Sequence, residues 1–255
     1  MTTKKCWYTA TNPPERGVTQ VFTWALQNAN SKNGVILAGV TNDVLARALM
    51  EVVHEKMAKD IVNEKIKRID GIGVSIATER REVHRGQNRV LVALYPSKSY
   101  LDRIDGISDI SEMAVVAWNP KEIEEWKITR SATELGGAPA TRTEPIIKNK
   151  TVVNAMRSLS SAVNKSTGLL HPADKPRAIE TFHVLLENGE RFDPKEIKMF
   201  LVAEEGWEPK YAIMVEEVAK GVLEGKRYRR QKGCWVPNII DIWRSKGESG
   251  QASPQ

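Results

Sequence analysis

The sequence predicts an α/β protein whose N-terminal half forms a mostly parallel, Rossmann-like sheet covered on both faces, followed by a helical C-terminal domain. Apolar runs of strand length alternate with helical patterns as far as Leu135, and beyond that point the pattern is helical only. Three stretches, at residues 12–15, 119–122 and 193–196, join a capping side chain to a proline and a glutamate, which marks a helix start.

Five short apolar runs are the expected strands of the sheet. The clearest is the run that Pro96 closes, because it has no polar residue over six positions. Nearly continuous apolar strands are typical of parallel sheets that are buried on both faces. The predicted strands are residues 6–9, 35–38, 74–78, 90–95 and 113–118.

Helical patterns separate these strands. Apolar residues at spacings of three and four predict a helix over residues 18–29. A stripe that repeats every four residues predicts one long helix after a cap at residues 41–43; it consists of Leu45, Leu49, Val53, Met57 and Ile61. Ser99 and Asp102 are expected to form a capping box for a short helix, and a further helix is expected from Pro120 to about Leu135.

The domain boundary is expected in a segment of small and polar residues that two prolines interrupt. We therefore predict an α/β domain at 1–136, a linker at 137–147, a helical domain with a basic and aromatic tail at 148–246, and disorder at 247–255. Within the second domain, the periodicity predicts helices at 152–163, 175–186, 194–204 and 209–224, and a short last element at 236–243.

Composition restricts the protein class. The 38 basic and 32 acidic residues give a mildly basic chain of net charge +6, and residues 218–246 carry a surplus of the same size. The two cysteines, Cys6 and Cys234, have no metal-binding or disulfide spacing and are expected to be buried thiols. With no secretory signal pattern and no apolar run long enough to span a bilayer, we expect a cytoplasmic protein without membrane contact.

Polar side chains follow the predicted strands, where ligands bind in open parallel sheets. Hydroxyl and amide groups beside helix N-termini, with one lysine, suit a nucleotide or another phosphate-bearing ligand. The same residue types are also ordinary helix caps, worth about 1 kcal/mol each. The predicted ligand-binding residues are Thr11, Asn12, Thr41, Asn42, Ser97, Lys98, Ser99 and Asn119.

A second candidate site lies in the basic tail, where cations alternate with aromatic rings. This combination neutralises phosphates and stacks on unpaired bases, as in proteins that bind single-stranded nucleic acid. Alternatively, the cations complement a helix dipole and the tryptophans anchor the last segment in the core. The predicted nucleic-acid-binding residues are Lys226, Arg227, Tyr228, Arg229, Arg230, Lys232 and Trp235.

The sequence contains no P-loop, hydrolase elbow or zincin motif, and it identifies neither a cofactor nor a metal site. The leading hypothesis is a protein that binds a small anionic ligand through its α/β domain and nucleic acid through its tail, as a regulator or a nucleic-acid-processing component. One alternative is an enzyme for a phosphorylated substrate that uses Lys98, Ser97, Asn119 and Glu79. Another is a scaffold whose tail binds an acidic protein surface.

Overall fold

The computed structural model describes residues 4–9, 14–29, 34–64, 66–82, 89–107, 109–138, 142, 144–231 and 233–248. The chain divides into two compact units, Met1–Arg142 and Thr143–Gln255. The first is an α/β unit and the second is helical, which confirms the predicted order of an α/β half followed by a helical half.

A seven-stranded sheet forms the centre of the first unit. Its strands are β1 (Lys5–Thr9), β2 (Val35–Gly39), β3 (Lys67–Ile69), β4 (Ile72–Thr78), β5 (Arg89–Leu94), β6 (Ile110–Val116) and β7 (Thr133–Glu134). They lie in the order β3-β4-β2-β5-β6-β1-β7, and every pair is parallel except β3 with β4. All five predicted strands are therefore confirmed, and β3 and β7 are additional.

Helices cover both faces of this sheet. The helices of the first unit are α1 (Pro14–Asn28), α2 (Asn42–Met50), α3 (Glu55–Asn63), α4 (Lys98–Asp105) and α5 (Glu124–Arg130). Buried side chains of α1, α2 and α3 share one core with Val35 and Leu37, whereas those of α4 and α5 share another with Ile36 and Ala38. Since alternate residues of a strand point to opposite faces, the two groups of helices lie on opposite sides of the sheet.

The single long helix predicted after residue 43 is wrong, because the chain breaks into α2 and α3. His54 begins the second helix: its Nδ1 accepts a hydrogen bond from the Lys56 amide at 3.3 Å. The stripe concealed this break because Val53 and Met57 keep the spacing of four across it. His54 is therefore the N-cap of α3.

Two other boundaries differ from the prediction. The N-cap of α4 is Ser97, whose hydroxyl accepts from the Tyr100 amide at 3.2 Å, so the capping box of Ser99 and Asp102 is wrong. The helix expected from Pro120 to Leu135 is a 3-10 turn, Pro120–Ile123, continued by α5. It ends at Ser131, which adopts a left-handed conformation and turns the chain into β7.

The second unit packs α6 (Lys150–Ala162), α7 (Asp174–Glu187), α8 (Pro194–Ala203), α9 (Pro209–Leu223) and α10 (Ile239–Glu248) around one core. Trp207, Trp243 and Phe182 are the largest fully buried side chains in it. The amide of Asn154 donates to the Trp243 carbonyl at 2.7 Å, which ties α10 to α6. None of the described helices has the length and apolarity needed to cross a bilayer.

Candidate functional site

The carboxyl ends of five parallel strands lie level with one another. Register pairs join Thr78 to Gly39, Gly39 to Leu94, Leu94 to Val116 and Val116 to Thr9. The segments that follow these strands therefore leave the sheet along one edge. This is the arrangement on which a shared ligand site at the strand ends depends.

Two positions along this edge are switch points, where adjacent strands lead to helices on opposite faces. The first lies between β2 and β5, because α2 and α4 cover opposite sides of the sheet. The second lies between β6 and β1, which lead to α5 and α1. Diverging connections leave a crevice between them, and open α/β sheets bind their ligands in such crevices.

Hydroxyl groups cap both helices at the first switch point. Thr41 accepts from the Val44 amide at 3.3 Å at the start of α2, and Ser97 occupies the same position in α4. Asn42 is the first helical residue of α2, and Ser99 lies in the first turn of α4, 3.3 Å from the Ser97 hydroxyl. The structure therefore places four predicted site residues on neighbouring helix N-termini, where backbone amides and the helix dipole attract anions.

Carboxylates balance part of this positive potential. The Ser97 hydroxyl donates to Glu79 at 2.8 Å, and Asp43 lies in the first turn of α2. The Lys98 ammonium pairs with Glu125 at 2.6 Å. The first switch point therefore presents hydrogen-bond acceptors as well as amide donors, and Lys98 already has an anionic partner in Glu125.

The second switch point contains Asn119, which accepts from the Lys121 amide at 3.0 Å and caps the 3-10 turn. Thr11 and Asn12, the predicted site residues after β1, lie outside the described residues. Beside Asn119, the indole of Trp118 stacks on Tyr95 with centroids 4.1 Å apart, yet Trp118 is 59% exposed. Sequence analysis missed this ring, because a tryptophan at the end of an apolar run has the pattern of a core residue.

Part of the basic tail forms internal contacts; its residues 226–235 are called the basic segment. The Arg230 guanidinium binds Glu180 at 3.2 Å and also pairs with Glu187, both on α7. Hydrogen bonds to the two carboxylates raise the pKa of Arg230. This arginine therefore fastens the segment to α7 and is not a freely available cation.

The aromatic residues of the segment also contact the helical core. The indole N–H of Trp235 donates to the Thr181 hydroxyl at 3.0 Å, and its ring meets Trp243 edge to face at 5.7 Å. Tyr228 packs against the same core and is half-buried. These contacts agree with the alternative interpretation, in which Trp235 anchors the last segment in the core.

Three cations of the segment face solvent. Lys226, Arg227 and Arg229 are exposed, and none of them forms an ion pair within the part of the chain that the structure describes. Lys232 lies outside the described residues. Among the described residues, the exposed cations of the segment are therefore fewer than the sequence predicted, and they lie at residues 226–229.

Comparison with known proteins gives one family match. Residues 148–244 are similar to a domain family of unknown function, DUF1889. This DUF1889-like region lies within the second unit and includes the basic segment. No curated protein and no solved structure matches the chain.

Proposed function

We propose that the first unit is a Rossmann-like binding domain for a small anionic ligand that also carries hydroxyl groups, a nucleotide or a sugar phosphate. One observation carries the proposal: Thr41 and Ser97 cap helices that diverge from the adjacent strands β2 and β5. The strand order differs from the 3-2-1-4-5-6 order of classical dinucleotide-binding folds. The proposal therefore depends on the local geometry of the switch point.

The chemistry of the crevice favours an organic phosphate over a bare phosphate ion. Free amides in the first turns of α2 and α4 supply donors for phosphate oxygens. Glu79 repels a second anionic group but accepts hydrogen bonds from sugar hydroxyls, as it does from Ser97. Lys98 gains a stronger partner when a doubly charged phosphate replaces the single charge of Glu125.

Calorimetric titration with a nucleotide, a pentose phosphate and inorganic phosphate tests this proposal. We expect an organic phosphate to bind more tightly than inorganic phosphate, and Lys98→Ala and Thr41→Ala to weaken that binding at least about tenfold, as expected when charge-assisted hydrogen bonds are lost. Lys59→Ala is the matched control, because Lys59 is an exposed cation of the same unit that pairs with Glu55 on α3. Absence of binding by all three ligands would refute the site.

The second part of the proposal is that the basic segment binds nucleic acid through phosphate contacts. Its support is the exposure of Lys226, Arg227 and Arg229 and the absence of ion pairs to other described residues. Each phosphate contact steepens the fall of log affinity with log salt by about 0.7 for single strands and about 0.9 for duplexes.

The salt dependence of binding measures these contacts. We expect the double variant Arg227→Ala/Arg229→Ala to reduce the slope by about 1.4 to 1.8, on the basis of two lost contacts. The control is Lys148→Ala/Lys210→Ala, which removes the same charge from two exposed, ion-paired lysines of the second unit. Equal slopes for both double variants would show that only net charge matters and would contradict the assignment.

A further inference from the structure

The second unit contains a pocket of about 310 Å³ beside the basic segment. Helix α9 contributes Met214 and Val218 to its wall, Leu169 adds a third apolar side chain, and Tyr228 closes one side. Pockets that bind small organic groups range from about 300 to 1,000 Å³ and combine apolar walls with a few polar groups. The pocket lies at the lower end of that range, with room for one base and its sugar.

A glycine fixes the position of the aromatic wall. A Cβ atom at Gly221 would lie only 2.2 Å from the Tyr228 hydroxyl oxygen, so no larger residue allows the ring to lie against α9 in this way. The Lys226 ammonium lies over the same ring, 5.4 Å from its centroid. Tyr228 and Lys226, the first exposed cation of the basic segment, are therefore in contact and line the same pocket.

The charges at the pocket favour an anionic ligand. The Lys220 ammonium lies 3.8 Å from the Glu224 carboxylate, so the charges of these two side chains cancel. Lys175 and Lys226 have no ion pair among the described side chains, and Glu217 is the remaining acid of the lining. The net charge of the lining is thus positive, with one carboxylate left to accept hydrogen bonds from a base edge.

We propose that this pocket receives one unpaired base of a single-stranded nucleic acid, while the adjoining phosphates contact Lys226, Arg227 and Arg229. The inference rests on the proposed nucleic-acid contact of the basic segment. It adds a preference that phosphate contacts alone do not produce: a base in a duplex is stacked and paired, and is therefore unavailable to the pocket. The base stacks on the Tyr228 ring in place of the Lys226 ammonium, which turns to an adjoining phosphate, and Leu169, Met214 and Val218 supply its apolar contacts.

The test compares single and double strands in the full-length protein. Fluorescence anisotropy compares labelled oligo(dT) of about 20 nucleotides with a duplex of equal length. The single strand should bind at least about fivefold more tightly, which is the lower limit for stacking one base on an aromatic ring. Met214→Trp fills the pocket from its half-exposed edge and should abolish this preference while leaving duplex binding unchanged. Leu186→Trp, at an exposed position outside the pocket, is the control and should behave as wild type.

Two results separate this inference from the function on which it rests. If Arg227→Ala/Arg229→Ala weakens binding but Met214→Trp leaves the single-strand preference intact, the basic segment binds nucleic acid and the pocket proposal is wrong. If the wild-type protein binds neither oligonucleotide, the nucleic-acid function itself is refuted. Lys175→Gln provides a second test that leaves the core untouched, because this exposed lysine lines the pocket but lies outside the basic segment. It should weaken binding of the single strand and leave duplex binding unchanged, and equal weakening of both would contradict the pocket proposal.

Discussion

Arg130 holds Asp105 through two nitrogens, Nε at 2.9 Å and an Nη at 2.7 Å, and joins the end of α5 to the end of α4. The Asp105 side chain is only 3% exposed, and Lys4, the residue before β1, donates to its backbone carbonyl and lies 3.9 Å from its carboxylate. Burial lowers the pKa of Lys4, and the neighbouring carboxylate opposes that shift. One acidic side chain thus connects a strand and two helices on one face of the sheet.

Asp105→Asn should destabilise the first unit by about 3 kcal/mol, because it leaves two largely buried cations without their carboxylate. The free energy of unfolding in urea measures this loss. Glu55→Gln is the control: it breaks an ion pair that is exposed to solvent and should therefore cost much less than the loss of the buried carboxylate. Equal losses in the two variants would show that the buried pair contributes no more than a surface pair.

Gly34→Ala should destabilise the same unit for a steric reason. Gly34 has φ +66°, and a Cβ atom there would lie 2.6 Å from the Gly73 carbonyl oxygen. Gly71 also has a positive φ, but no atom lies within 4 Å of its Cβ position. Gly34→Ala should therefore lower the free energy of unfolding in urea by at least about 1 kcal/mol more than Gly71→Ala does. This difference is the lower limit of the usual cost of overpacking. Equal costs would exclude the close approach.

The two thiols should differ in reactivity. Burial, with a contribution from Asp105, raises the pKa of Cys6 to about 12, whereas Cys234 is half-buried with its thiol 3.1 Å from the Gln231 carbonyl. A disulfide reagent at about pH 8 should modify one thiol in the native protein and two after unfolding, since only accessible thiolate reacts. Cys234→Ser should abolish the native reaction. Continued modification of that variant before unfolding would contradict the burial of Cys6.

His183 should make stability depend on pH. Burial, together with the positive charge of Arg230, lowers the pKa of His183 in the folded protein below its usual value near 6.5. The unfolded chain then binds a proton that the native state does not, so the contribution of His183 is complete above about pH 6.5 and is lost as the pH falls through the folded pKa.

Thermal unfolding between about pH 5 and pH 7 measures this contribution. The melting temperature of wild type should fall more on acidification than that of His183→Gln. His171→Gln is the matched control, because His171 is exposed and caps the turn before α7 with an acceptor nitrogen. If His183→Gln keeps the full pH dependence, other groups cause it.

The parts of the fold that the sequence predicted are those that depend on local chemistry. Asn119 and Asp193 cap their helices as expected, each accepting from the amide two residues later. The five central strands were predictable because burial on both faces makes them apolar throughout. By contrast, β3 and β7 have three and two residues and carry no hydrophobic pattern, since they form only by pairing with neighbours that are distant in sequence.

The candidate sites were predictable only as collections of residue types. Ser97 and Thr41 were identified from their positions after strands, but the hydrogen bond from Ser97 to Glu79 requires the strand order. Likewise, the acids that bind Arg230 lie on α7, about 40 to 50 residues away in sequence. A basic run therefore cannot be divided into structural and exposed cations before the tertiary contacts are known.

The shortness of β3 and β7 has a consequence for the behaviour of the protein at high concentration. A long, unpaired outer strand invites a strand of another molecule to join it, and this is the first step of many aggregation reactions. Here the outermost strands are only three and two residues long, and they include Lys67, Arg68 and Glu134. The outermost strands themselves therefore give an approaching chain few backbone groups to pair with, and the charges on them disfavour such pairing.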